Sequence, residues 1–80
     1  MNTGPIKSLI SQYSVAALLA AEEAMMHGEP LPFEVDGKDA GEQLTHILAA
    51  IYCKQEMEKS GITVNQALRL YARRVRNSIN

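Results

Sequence analysis

Two pairs of residues are spaced to do metal chemistry. Glu23 with His27, and Glu42 with His46, are each Glu-x-x-x-His, which on a helix sets a carboxylate and an imidazole one turn apart. Two helices each offering such a pair could chelate zinc or iron. The spacing is one residue longer than the Glu-x-x-His of di-iron bundles, so it does not fit that class. Met25, Met26, Cys53 and Met57 are soft enough for Cu(I). Methionine at helical spacing, however, fills gaps in a core, and His27 beside Gly28 suits the negative end of a helix. No metal and no cofactor is expected.

Glu22 is the acid–base candidate. In a helix starting at Val15 the bulky stripe is Val15, Leu18, Leu19, Met25 and Met26, and Glu22 falls inside it. A carboxylate there must be paired, protonated or pushed to the edge. Its candidate partners are Lys7, His46 or an arginine of the last helix. Glu22 and His46 are thus the expected buried polar residues, in a structural rather than a catalytic role, since no nucleophile or cofactor motif accompanies them. On that footing Glu22→Gln lowers stability. Cys53 has no base near it in sequence and sits on an apolar strip, the setting of an inert thiol. No catalytic residue is assigned, and the chain is not expected to be an enzyme.

Arg69, Arg73 and Arg76 form a ridge on the last helix and are the candidates for binding an anion or a partner. With Gly61 in the turn before them, residues 55–74 resemble a DNA-binding helix-turn-helix, whose arginines would neutralise phosphates and reach guanine edges. Three features oppose that use. The helix before the turn is about twice the usual length. The ridge lies in the later turns, whereas base-reading residues lie near the start of a recognition helix. The rest of the chain is acidic. A ribbon-helix-helix reader fares worse, because the strand it would use, residues 31–35, is followed by Asp36 and presents Glu34, which phosphates repel. Nucleic-acid binding through the basic last helix stands as the alternative function.

The elements that must position these groups centre on residues 41–57. Leu44, Ile47, Leu48, Ile51 and Tyr52 share one helical face, the pattern of a core-facing helix. Ala49, Ala50, Cys53 and Met57 occupy the other side, with His46 at its end. Only narrow polar seams, Thr45 with Glu56 and Gln43 with Lys54, divide the two. A helix apolar on two sides is buried on two sides. The expectation is a central helix whose second side, Ala49, Ala50, Cys53 and Met57, packs on the first helices or on a second copy of the chain.

Local signals place the other elements. Pro5 suits a helix's first turn, and Ile6, Leu9, Ile10 and Tyr13 give a short amphipathic helix. Ser14 can cap a helix over residues 15 to about 27, ended by Gly28. Residues 28–38 hold Pro30, Pro32 and an Asp36-Gly37 turn pair, with Leu31, Phe33 and Val35 alternating against Pro32 and Glu34. That reads as an extended arm or a single strand, lying across the helices with Phe33 and Val35 pinned to them; Phe33 joins the candidate interface residues, since a lone strand can pair with its own copy. Asp39 to Glu42 is capping-box-like, Ser60-Gly61 stops the central helix near residue 59, and Thr63 to Gln66 is a second capping box. The last helix sets Val64, Ala67, Leu68, Tyr71, Val75 and Ile79 on one face.

Leu48-Ala-Ala-Ile-Tyr, Met57, Gly61-Ile62, Ala67-Leu68, Tyr71 and Arg74-Val75-x-Asn-Ser-Ile79, preceded by Gly41-Glu-x-Leu, resemble a small family of uncharacterised bacterial all-helical proteins of about this length, a domain of unknown function. The likeness is good over the last half of the chain and loose over the first. It implies an all-helical fold. The shared positions are core and capping residues, so no functional residue is carried over.

Composition sets the remaining bounds. Eighty residues make one domain, 1–80, of a size that buries only about 60% of the surface its unfolded chain exposes. Hydrophobic residues are 46% of the chain, but ten are alanine, and small side chains bury little area each. Association is the usual remedy. Net charge is −1, split as −5 over residues 1–60 and +4 over residues 61–80, which suggests pairing of the basic last helix with acidic helices of the same or another copy. One cysteine fits a reducing compartment, and the longest apolar runs, residues 15–21 and 47–53, fall far short of the roughly 20 residues of a membrane span. The N-terminus makes a poor signal peptide. The reading is therefore an all-α protein, a four-helix bundle of one short and three longer helices with a central helix and a linker arm. It is expected to be cytoplasmic, to form a homodimer and to act as a protein–protein interaction or accessory module, with a further protein partner open and with neither nucleic acid nor membrane expected.

Overall fold

The computed structural model describes residues 3–79, and side chains through residue 77. Four helices follow in order: α1 (Gly4–Gln12), α2 (Val15–Met26), α3 (Ala40–Ser60) and α4 (Val64–Ile79), with no strand among the described residues. None of them is long and apolar enough to cross a membrane. Pro5 lies in the first turn of α1. The Ser14 hydroxyl accepts from the Ala17 N–H at 3.1 Å and starts α2. At its far end Gly28, at φ 69°, lets the Glu29 N–H reach back to the Ala24 carbonyl at 2.8 Å, the long bond of a Schellman stop. Asp39 caps α3 through the Glu42 N–H at 2.8 Å, while the Glu42 carboxylate accepts from the Lys38 N–H, one residue before the cap. Gly61, at φ 67°, ends α3. Thr63 and Gln66 exchange bonds at 2.9 and 3.2 Å to open α4, a full capping box.

The long α3 is the axis of the molecule: α1, α2 and α4 each pack chiefly on it. Both of its expected dry sides are dry. Ile47 and Ile51 are buried on one, and Ala49, Ala50 and Cys53 on the other, with Met57 half-buried. The core closes with Ile6, Leu9 and Ile10 of α1, Leu18 and Ala21 of α2, Val35 of the arm, and Ala67 and Leu68 of α4. Lys54 crosses from α3 to donate to the Ile10 carbonyl at 3.0 Å, a favourable place for a cation near the end of α1.

Three expectations change here. Ala49, Ala50 and Cys53 have no exposed surface, so the chain's own helices cover the second side of α3 and leave these residues no part in an interface with a second copy. Leu48, expected in the core, is 39% exposed; α3 keeps one solvent strip, running through Gly41, Thr45, Leu48, Gln55 and Lys59, and Leu48 falls on it. The third concerns α2. Its core face takes only part of the bulky stripe: Leu18 is buried beside Ala21, and Val15 and Met25 are half-buried with Ala17 and Ala24, while Leu19 is 43% and Met26 70% exposed. Ala17, Ala21 and Ala24 interleave with Leu18 and Met25 on that face, whereas Ala16 and Ala20 are exposed with Leu19 and Met26.

The arm lies across the helices as expected, with Val35 buried, Leu31 and Phe33 half-buried and Pro32 and Glu34 outward. Phe33 stacks on Tyr13, ring centres 3.8 Å apart and planes within 12°; that contact is within the chain, so the arm spends Phe33 on its own first helices. At the arm's end Gly37 takes φ 156°, and a Cβ there would sit 2.8 Å from the Gln43 backbone nitrogen. Only glycine permits that approach. The apolar face of α4 is as expected through Val75; the side chain of Ile79 lies outside the described residues.

Candidate functional site

His46 is buried, 7% exposed, and its Nδ1–H donates to the Asp36 carbonyl at 2.8 Å. One turn earlier on α3, Gln43 donates to the Val35 carbonyl at 2.9 Å. Together these two side chains satisfy the arm's last carbonyls, so His46 is a clamp on the backbone. In the sequence Gln43 shows only as part of a polar seam. Its partner is eight residues away on an irregular segment, and no periodicity marks such a contact.

Glu22 is half-buried, at the edge of the face that α2 turns to the core, and among the described residues it forms no ion pair with Lys7, His46 or any arginine. The inward face of α2 is centred on Leu18, Ala21 and Met25, which leaves Glu22 at its edge. Glu22 lines an open groove of about 410 Å³ with Leu19, Glu23, Met26 and His27. His46 and Glu22 are not brought together, and among the described residues no three His, Cys, Asp or Glu converge where a metal ion could sit.

Cys53 is fully buried, and burial pushes its thiol from 9.0 up to about 11. It is protonated at neutral pH and carries no nucleophilic thiolate. Tyr71 is also shifted upward, chiefly by burial and then by Cys53. Its ring meets Tyr52 at 5.5 Å, and the Arg74 guanidinium lies 5.5 Å from the Tyr52 ring centre, a cation–π distance. A groove of about 690 Å³ is lined by Lys7, Ser8, Ile10, Ser11, Met57, Thr63, Val64 and Asn65, and it gathers no carboxylate, imidazole or thiol for acid–base work.

What remains is surface. Arg69, Arg73 and Arg76 stand exposed on α4. The expected pairing of the basic helix with acidic neighbours does not occur within the chain: the one ion pair among the described residues is Lys59 with Glu56, at 4.0 Å. Arg73 and Arg74 line a groove of about 470 Å³ with Leu70 and Asn77. Opposite charges and exposed apolar side chains are thus both left unspent on the surface of one chain.

Among known proteins, one family model matches, over residues 1–80, and its family is one of unknown function. No curated protein and no solved structure matches the chain.

Proposed function

We propose, for a chain that belongs to the family of unknown function DUF6952, that it is a small helical interaction module and that its first partner is a second copy of itself. The observation that carries this reading is the set of large apolar side chains left outside a closed core: Leu19, Met26 and Leu48. Burying them returns roughly 25 cal/mol for each Å² taken from water. The buried strip of Ala49, Ala50 and Cys53 plays no part, so the dimer is a meeting of finished monomers rather than a shared core. Sedimentation equilibrium from micromolar to millimolar concentration tests it. A mass that doubles over that range is expected, and a constant monomer mass refutes the homodimer.

One observation favours a second reading. The exposed arginines of α4 have no ion-pair partner among the described residues, which suits a polyanion as well as an acidic protein surface. Against it, the start of α4 is occupied by its own cap, with Gln66 bonded to Thr63, at the place where a recognition helix presents base-reading side chains. Retention on a phosphate-rich column that falls steeply with salt would favour nucleic acid. Elution in the void is the expected result.

A further inference from the structure

We propose that in this dimer the outer face of α2 in one copy docks on the α4 groove of the other, and the reverse contact closes the pair. The proposal rests on the homodimer reading and adds its register. Two surface strips share one spacing with opposite charge. On α2 the strip is Leu19-x-x-Glu22-Glu23-x-x-Met26, and on α4 it is Leu70-x-x-Arg73-Arg74-x-x-Asn77. Offsets of three, four and seven put each set on one helix face, and each lines a groove of its own, of about 410 and 470 Å³.

None of the four charges in these strips has an ion-pair partner among the described residues. The α2 helix has 12 residues and α4 has 16, about 18 and 24 Å at helical rise, so one can lie along the other. Pairing α2 with α2 would oppose four carboxylates, and pairing α4 with α4 would oppose four guanidinium groups. Only the exchanged arrangement opposes unlike charges throughout, and made twice it obeys a twofold axis. Its apolar ends, Leu19 and Met26 against Leu70, supply the area, while the charges set orientation and register.

Reciprocal charge reversal tests the register. Glu22→Lys/Glu23→Lys and Arg73→Glu/Arg74→Glu should each raise the dimer dissociation constant about tenfold or more, because each alone faces like charges. An equimolar mixture of the two should recover a heterodimer at least as tight as the wild type. Arg73→Glu alone, which leaves the Arg74–Tyr52 contact intact, keeps the test informative if the double variant loses its helical circular dichroism. A wild-type dimer indifferent to the reversals, or variants that do not pair when mixed, overturns the register and leaves the homodimer standing. A wild-type chain monomeric at every concentration overturns both.

Discussion

Alkaline titration of Cys53 probes the packing of α3 from the inside. The thiol is fully buried and held near 11, against 9.0 when exposed. The sign follows from linkage: below pH 9 the thiol is protonated in both states and contributes no pH dependence. Between pH 9 and 11 the unfolded chain ionises while the folded one does not, so stability falls as pH rises. Two pH units correspond to on the order of 2–3 kcal/mol, much of the stability of so small a domain. The assay is urea unfolding of the wild type and of Cys53→Ala at several values from pH 8 to 11. At pH 8 the variant should be weaker by about 1 kcal/mol, through the lost sulfur and the small cavity it leaves. The wild-type advantage should shrink through pH 9–11 and reverse sign. Tyr71 is shifted in the same direction but is present in both proteins, so subtraction removes most of its effect. A thiol reagent gives an independent reading. At pH 8 only about one in a thousand buried thiols is ionised, against about one in ten exposed, and reaction further requires opening of the fold. A stability difference flat from pH 8 to 11, with native Cys53 labelled as fast as in urea, would show that this side of α3 is wet and would refute the packing described for it.

Two further perturbations test how the arm is held. Gly37→Ala should cost roughly 1–3 kcal/mol in a thermal or urea melt, because a Cβ at φ 156° would strike the Gln43 backbone; an unchanged midpoint would mean the turn is not seated on α3. Gln43→Leu strands the Val35 carbonyl and should cost about 1–2 kcal/mol, with proteolysis in residues 28–38 quickening well beyond what the drop in global stability explains. Cleavage that does not change would place the hold on the arm elsewhere, in the Tyr13–Phe33 stack and His46.

Where α-helices begin and end could be read along the chain, because caps are made between near neighbours. Ser14 with Ala17, Asp39 with Glu42 and Thr63 with Gln66 are each three residues apart, and the glycines at 28 and 61 supply the left-handed φ that a helix stop needs. The two apolar sides of α3 were equally visible, since burial of a regular helix repeats at its own pitch. The direction α2 faces was not. That helix is apolar almost all round, so its pattern names no single inner side, and packing settled on a face that mixes Leu18 and Met25 with Ala17, Ala21 and Ala24 and leaves Leu19 and Met26 outside. The same choice set Glu22, the acid–base candidate of the pattern, half-buried at the edge of that face.

The amino-acid order by itself determined four helices, their ends, and a central one that must be covered on two sides. Only the tertiary structure decided who covers it: α1, α2 and α4 of the same chain, rather than a second copy. It also decided which apolar and charged groups are left over at the surface. Helix formation is a matter of contacts a few residues apart. The rotation of one helix on another depends on side-chain volumes meeting across the fold, and those volumes have no counterpart in a one-dimensional pattern.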